Sequence, residues 1–343
     1  MLEDFAYVIL PDMETQPVNK LGGMALVRAD KDFYSCPSWI DQDLWKNYRD
    51  RYLNASKGKP DLIQIDLELT DACNLRCIEC PISSTLKRQI NRIDIKKAKN
   101  ILSFYASQGV LALKLNYINE PLLNFDDLID IAEYAKSIGI LDIYFTSNGT
   151  LLNEEKAKKL IDSNLISRIQ VSLDAINSNT YDQIRIGGNY KRVIENIDFF
   201  MKYKSSINKE FPLLRVNFLS LPENKGQEKE FLDYWREKVD AVAIQRSVLK
   251  PDSKREFGAD EYKLNERFCP NPFRQLVIRA DMSVLPCCSF WGCNIKLGDL
   301  NLNNKNTLFN EKLMVNLRES FVNPKKVLFS ACKSCLSSCD PTD

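Results

Sequence analysis

The sequence predicts an α/β fold in which βα units wind around a parallel sheet or barrel, followed by a small cysteine-rich α+β region. Three observations point to it. Between Leu62 and Arg246, apolar runs of strand length alternate with amphipathic helical stretches. Several of those stretches open on an Asp or Asn placed to cap a helix. After the polar linker Pro251–Asp260, the chain gathers seven of its 11 cysteines between Cys269 and Cys339.

The expected strands are Leu62–Thr70, Ala112–Ile118, Leu141–Ser147, Ser167–Ala175, Leu213–Leu219 and Val239–Arg246. Helical patterns lie between them near Ile95–Ser107, Asp126–Ser137, Glu154–Ser163, Lys191–Lys204 and Gln227–Lys238. Right-handed crossovers then close a barrel or partial barrel. The first strand is unusual for a parallel sheet, because Ile63, Ile65, Leu67 and Leu69 alternate with Gln64, Asp66, Glu68 and Thr70. One face of it therefore meets something polar: either a lumen in which Asp66 or Glu68 reaches a ligand, or salt-bridged side chains of a covered strand. The expected organisation is an N-terminal extension over 1–60 with a helix at Gln42–Tyr52, a barrel over 61–250, and a linker with a cysteine-rich domain over 251–343.

Composition narrows the chemistry. Lys plus Arg number 47 against 46 for Asp plus Glu, which leaves no global field to draw the protein onto nucleic acid or an anionic membrane. No stretch approaches the roughly 18 apolar residues of a membrane helix, and the acidic N-terminus does not resemble a signal peptide, so a soluble cytoplasmic protein is expected. The 11 cysteines are odd in number and grouped, which suits metal binding in a reducing compartment better than a disulfide framework. With no histidine, Cys/His zinc sites, Ser–His and Cys–His catalysis and His-ligated haem are excluded.

In Leu67-Glu-Leu-Thr-Asp-Ala-Cys73-Asn-Leu-Arg-Cys77-Ile-Glu-Cys80-Pro, three thiols follow directly on a strand. Three thiolates bind a 4Fe–4S cube and leave one iron open to a reactant; the alternative is zinc, which would need a fourth ligand from elsewhere. This loop resembles the CxxxCxxC loop of the radical S-adenosylmethionine (SAM) superfamily, with Glu79 at a position usually apolar in that family. The resemblance implies a (βα)6 partial TIM-type barrel, SAM chelated to the open iron of a 4Fe–4S cluster on Cys73, Cys77 and Cys80, and a 5′-deoxyadenosyl radical that abstracts hydrogen from substrate. It also implies a flavodoxin- or ferredoxin-type electron donor. Leu115-Asn-Tyr-Ile-Asn-Glu120-Pro is similar to the family's Gly-Gly-Glu-Pro segment, with Ile118 and Asn119 in place of the glycines, and implies Glu120 as acceptor for the SAM ammonium. Phe145-Thr-Ser147-Asn148 and Val171-Ser172-Leu-Asp174 resemble the third and fourth strand ends, where Ser147, Asn148, Ser172 and Asp174 would meet the SAM carboxylate or ribose. Arg185 falls where the family often places an arginine near SAM.

The second cysteine group reads as a hairpin, Gln275–Arg279 and Ser283–Leu285, then Leu297-Gly298-Asp299, a helix near Asn310–Phe321 and Cys332-Lys-Ser-Cys335. This resembles the SPASM and twitch domains of radical SAM enzymes and implies one auxiliary 4Fe–4S cluster on Cys269, Cys287, Cys332 and Cys335. Two auxiliary clusters, or a zinc-ribbon-like site, are the alternatives. Cys36, Cys288, Cys293 and Cys339 are left over. A fully ligated auxiliary cluster suits net oxidation, and the resemblance is nearest to aminocyclitol and sugar alcohol dehydrogenases. Arg246, Asp66, Glu68 or a tyrosine would then orient or deprotonate the hydroxyl. The alternative substrate is a peptide, modified by epimerisation, crosslinking or thioether formation, with a spare thiol such as Cys36 or Cys293 donating hydrogen.

Overall fold

A computed structural model describes residues 24–28, 33–80, 83, 90–246, 268–288, 295–304, 306–323 and 325–337. Six parallel strands form the partial barrel: β2 (Gln64–Leu67), β3 (Ala112–Lys114), β4 (Asp142–Ser147), β5 (Arg168–Ser172), β6 (Leu213–Ser220) and β7 (Ala241–Arg246). Helices α2 (Ile95–Ser107), α3 (Phe125–Ser137), α4 (Glu154–Asp162), α5 (Ser178–Ile184), α6 (Tyr190–Ser206) and α7 (Glu228–Trp235) fill the connections. Caps are made at three of the expected helices, where the side chains of Asp94, Asn153 and Asn189 accept from the backbone N–H three residues on, and Asn177 caps α5, a helix not expected, in the same way, satisfying donors the first helical turn leaves open; α3 has no side-chain cap.

The alternation in β2 resolves into two buried faces. Ile65 and Leu67 join the large apolar core beneath the helices, while Gln64 and Asp66 face the lumen and are equally buried. The same parity continues around the barrel, with register bringing Asp66 opposite Lys114, Lys114 opposite Tyr144, and Gln170 opposite Arg215. The expected second strand stops at Lys114. Beyond it Asn116 Oδ1 accepts from Thr146 N at 2.9 Å and Asn119 Oδ1 from Tyr117 N at 3.0 Å, so side chains take over bonds that a ladder would make.

Four strands extend the sheet beyond the barrel, at both of its edges, joined to it by pairings that local periodicity did not indicate. β1 (Met24–Arg28) pairs antiparallel with β7. In the cysteine-rich region, α8 (Asn271–Arg274) leads into β8 (Gln275–Ile278), which lies parallel to β2, and β9 (Ser283–Leu285) and β10 (Gly298–Asp299) follow antiparallel. The ten strands thus make one sheet, in the order β1-β7-β6-β5-β4-β3-β2-β8-β9-β10. Among the described residues two further helices follow, α9 (Lys312–Val322) and α10 (Ser330–Ser337).

The described residues of the N-terminal extension from Phe33 on pack against the starts of the barrel strands. Helix α1 (Gln42–Ala55) packs Trp45 and Tyr48 on Ile63 and Ala112, at the starts of β2 and β3. Phe33 seats against Phe211, Leu213 and Ala241. The Tyr48 hydroxyl donates to Asp142 Oδ2 at 2.7 Å, and Arg168 Nη2 reaches the same oxygen at 2.6 Å. Among the described residues, no helix is long and apolar enough to cross a membrane.

Candidate active site

The Cys73 loop follows β2 and is fastened on three sides. Asp71 accepts from Asn91 N and Nδ2 at 3.1 and 3.0 Å. The N–H groups of Arg76 and Ile78 donate to the carbonyls of Ile186 and Ile184 at 2.9 and 3.1 Å, where α5 ends. Asn74 bridges to the end of β4: its Oδ1 accepts from Asn148 Nδ2 and its Nδ2 donates to Thr150 Oγ1, both at 2.9 Å. Cys73, Cys77 and Cys80 are half-buried. Leu75 N points at Cys73 Sγ and Arg185 Nη1 at Cys77 Sγ, each at 3.5 Å. Burial pushes the Cys73 thiol up to about 11, with Glu120, Cys77 and Cys80 adding to the rise against the Leu75 N–H. Thiols so placed ionise when a cation arrives, and N–H groups aimed at sulfur are what an iron–sulfur cluster accepts. The three residues fit a cluster with one open iron.

Glu120, Ser147 and Asn148 come together beside this loop. Glu120 is fully buried; its Oε1 accepts from Leu122 N at 3.0 Å and Ser147 Oγ at 2.8 Å, and its Oε2 from Asn148 N at 2.7 Å. Burial raises its pKa to about 7 against those three bonds. A carboxylate of this kind, still able to accept at Oε2, suits an ammonium. On the other flank, Asp174 adopts φ 60° and pairs with Arg185, while its Oδ1 accepts from Leu219 N at 2.8 Å. Arg185 thereby spans Asp174 and Cys77, and Ser172 stands opposite Asn217 on the inward face. Sequence reasoning missed Asn74, whose signal was a short amide directly after the first cysteine.

The proposed catalytic residues divide. Asp66 accepts from Gln64 Nε2 at 2.6 Å through Oδ1; its Oδ2 is buried without a hydrogen-bond partner, and burial raises its pKa. Glu68 joins two loops instead: Oε1 accepts from Ile118 N and Oε2 from Ala280 N, both at 3.3 Å, with Arg279 Nε 3.7 Å away. Burial lifts Glu68 to about 7. Arg246 is the last residue of β7, opposite Ser220. The inward Lys114, Arg168, Gln170, Arg215 and Asn217 were also missed, although β5 and β6 show the same every-second-residue polarity as β2.

In the C-terminal region, Cys269 precedes α8, and Cys332 and Cys335 lie three apart on α10. Burial pushes Cys269 up to about 12, with Cys335 and Cys288 close enough to add to the rise; it pushes Cys332 to about 12, with Cys269 and Cys335 adding. Cys269, Cys332 and Cys335 therefore lie within electrostatic reach of one another, and Cys287 follows β9, half-buried. Cys288 retains exposed surface yet lies within the influence of Asp66 and Lys114 on the inward face. Cys36 sits with the Trp45 cluster at the opposite end of the barrel and donates to the carbonyls of Pro37 and Ile40. Cys293 and Cys339 lie outside the described residues.

Residues 67–215 match the radical SAM superfamily, and residues 269–336 match SPASM, an iron–sulfur cluster-binding domain. Residues 67–215 are thus a radical SAM domain and residues 269–336 a SPASM domain, and together the two domains imply SAM, a SAM-binding 4Fe–4S cluster and auxiliary iron–sulfur ligation. Among curated relatives, a probable GTP 3′,8-cyclase of Methanococcus maripaludis is 34% identical over 190 residues, 55% of this chain and 60% of that protein. An AdoMet-dependent heme synthase of Methanosarcina barkeri is 34% identical over 136 residues, 39% of this chain and 38% of that one. The chain thus spans 60% of the length of the first of these. Among solved structures, Streptococcus suis SuiB bound to S-adenosylmethionine superposes with a TM-score of 0.55 at 16% identity, covering 82% of this chain and 74% of that one. The enzyme anSMEcpe with bound AdoMet gives 0.56 at 15% identity, covering 74% and 82%. At such identity these two establish the fold alone.

Proposed function

We propose that this chain is a radical SAM oxidoreductase that oxidises a small sugar or aminocyclitol alcohol in the barrel lumen, with one auxiliary 4Fe–4S cluster on Cys269, Cys287, Cys332 and Cys335 as electron acceptor and a flavodoxin- or ferredoxin-type protein as donor. The observation that carries it is a polar inner face of the barrel bounded at its rim by Glu120, Ser147 and Asn148 and at its side by β8 of the SPASM region. When loaded, the Cys73 cluster with SAM supplies the 5′-deoxyadenosyl radical for hydrogen abstraction, and the SPASM cluster supplies a place for the electron. Glu120 receives the SAM ammonium; Ser172, Asp174 and Arg185 line the opposite flank. Asp66 Oδ2 takes the hydroxyl proton, because it is buried, unpaired and raised above the usual carboxylate range. Glu68 holds the turn of the auxiliary hairpin against the loop that presents Glu120.

A second reading, modification of a peptide, draws on Cys288, a thiol outside the proposed ligand set that stands beside Asp66. One experiment separates them. Anaerobic incubation of the reconstituted protein with SAM, a reductant and deuterated sugars, aminocyclitols or peptides, followed by mass spectrometry, should give an alcohol short of two hydrogens and deuterium in 5′-deoxyadenosine. Deuterium uptake from a peptide, with every alcohol unchanged, would overturn the first reading.

A further inference from the structure

Two arginines project inward from neighbouring strands, and the protein treats them differently. Arg168 on β5 is paired with Asp142 at 2.6 Å and lies over the rings of Tyr34 and Tyr144. Arg215 on β6 is just as deeply buried, at 1% exposure. Its Nη2 donates to Gln170 Oε1 at 2.6 Å and its guanidinium lies 4.7 Å from the Phe33 ring centre. Nε and Nη1 have no hydrogen-bond partner, and among the described residues no carboxylate forms an ion pair with it. The charged groups nearby make matters worse, since Arg168 opposes its charge. The neighbour able to become negative is the Tyr34 phenol, which also hydrogen-bonds the guanidinium. Burial would raise that phenol, yet Arg215, Arg168, Arg49 and Arg274 outweigh burial and lower it. The base of the lumen is thus a concentration of positive charge with too little protein anion to answer it, a cost that persists where a ligand supplies the missing partner.

A second unpaired atom gives the site direction. Asn217 Oδ1 is buried without a partner, two residues along β6 from Arg215 and opposite Ser172 at the rim. Two residues of strand span roughly 6.6 Å. A molecule reaching from the rim to Arg215 therefore passes an amide oxygen that accepts a hydrogen bond, then meets a guanidinium with donors open at Nε and Nη1 and its positive charge unanswered.

We propose that Arg215 binds an anionic group of the substrate, a carboxylate or a phosphate, with Asn217 Oδ1 accepting from a hydroxyl or ammonium of the same molecule. This rests on the lumen's being the substrate chamber, as the oxidoreductase reading requires. It narrows the substrate to an acid whose reacting carbon lies a few bonds from its charge, such as a sugar acid or a phosphorylated polyol, in place of a neutral one.

Equilibrium dialysis of the reconstituted, SAM-loaded protein against labelled inorganic phosphate, acetate and myo-inositol tests it. One anion should bind at a single site, and inositol should not. Arg215→Gln should weaken the anion at least tenfold, and Arg215→Lys should retain most of the affinity. Asn217→Asp places a carboxylate beside the guanidinium and should abolish binding. Preference for phosphate assigns a phosphate, and preference for acetate a carboxylate. Binding no tighter to wild type than to Arg215→Gln, or undiminished binding by Asn217→Asp, would overturn the proposal; should Arg215→Gln fail to fold, Asn217→Asp decides. Arg215-dependent anion binding without oxidation of any alcohol would remove the oxidoreductase reading alone, whereas alcohol oxidation without anion binding would remove this one alone.

Discussion

The two thiol groups of this molecule are built on different supports. The Cys73 loop is irregular backbone pinned from three sides, with N–H donors of Leu75 and Arg185 aimed at sulfur and polar strand ends on both flanks. The C-terminal thiols stand on or beside short helices, Cys269 and Cys332 deeper in protein and raised further by burial than Cys73. On the proposed reading, the first arrangement keeps a ligand position open and the second uses its four thiols for closure. That contrast separates a site that performs chemistry from one that stores charge or holds shape.

The largest effect expected from breaking the contrast is loss of the first group. Cys73→Ala, Cys77→Ala and Cys80→Ala together should lower the iron content from roughly eight to roughly four per chain, one cube per group, and abolish release of 5′-deoxyadenosine. Residual SAM cleavage by this triple variant would show that the two groups are not distinct in role. Cys332→Ala with Cys335→Ala should remove a similar amount of iron while SAM cleavage continues and oxidised product disappears. Parallel loss of both activities, with an unchanged circular dichroism spectrum, would leave the second group a structural role only.

Glu120→Gln tests the open side of the first site at smaller amplitude. A charge-assisted hydrogen bond from an ammonium is worth about 1.5–3 kcal/mol, so SAM affinity should fall by roughly one to two orders of magnitude with iron content intact. Titration of SAM followed by the cluster's electron paramagnetic resonance signal measures it; unaltered affinity would assign the SAM amino group to another residue.

The smallest effect concerns Glu68, which ties the two regions together. Its pKa rises from 4.5 to about 7 in the folded chain, chiefly through burial. A raised carboxyl favours folding while protonated, so its contribution is complete below about pH 4.5 and is lost as the pH rises through about 7. Glu68→Gln should remove that dependence and stabilise the protein above pH 7 by up to about 3 kcal/mol, since each tenfold change in proton affinity on folding corresponds to about 1.4 kcal/mol. Urea midpoints at pH 5 and pH 8 check it, and identical slopes for both proteins would mean that Glu68 is ionised at little cost.

Much of this was legible in the sequence because the information was local. Capping residues and a 3.6-residue period placed α2 at Ile95–Ser107 without error, and the two-residue period of β2 revealed a polar inner face. The convergence of Glu120, Ser147 and Asn148 followed from motifs at successive strand ends. What stayed hidden depends on partners distant in the chain. Pairing of β8 with β2 is decided across some 200 residues, and nothing in Gln275–Ile278 names its neighbour. The grip of Arg185 on Asp174 and Cys77, and the isolation of Arg215, arise only once strands stand side by side.

The parallel seam between β8 and β2 also bears on modularity. Although the SPASM match begins at residue 269, its first strand covers an edge that a barrel ending near residue 250 would leave bare, exposing the ladder groups of Gln64–Leu67 to any passing strand. The C-terminal region is therefore unsuited to grafting or deletion as an independent cassette. A shortened chain is expected to self-associate, and the intact one to melt as a single cooperative body.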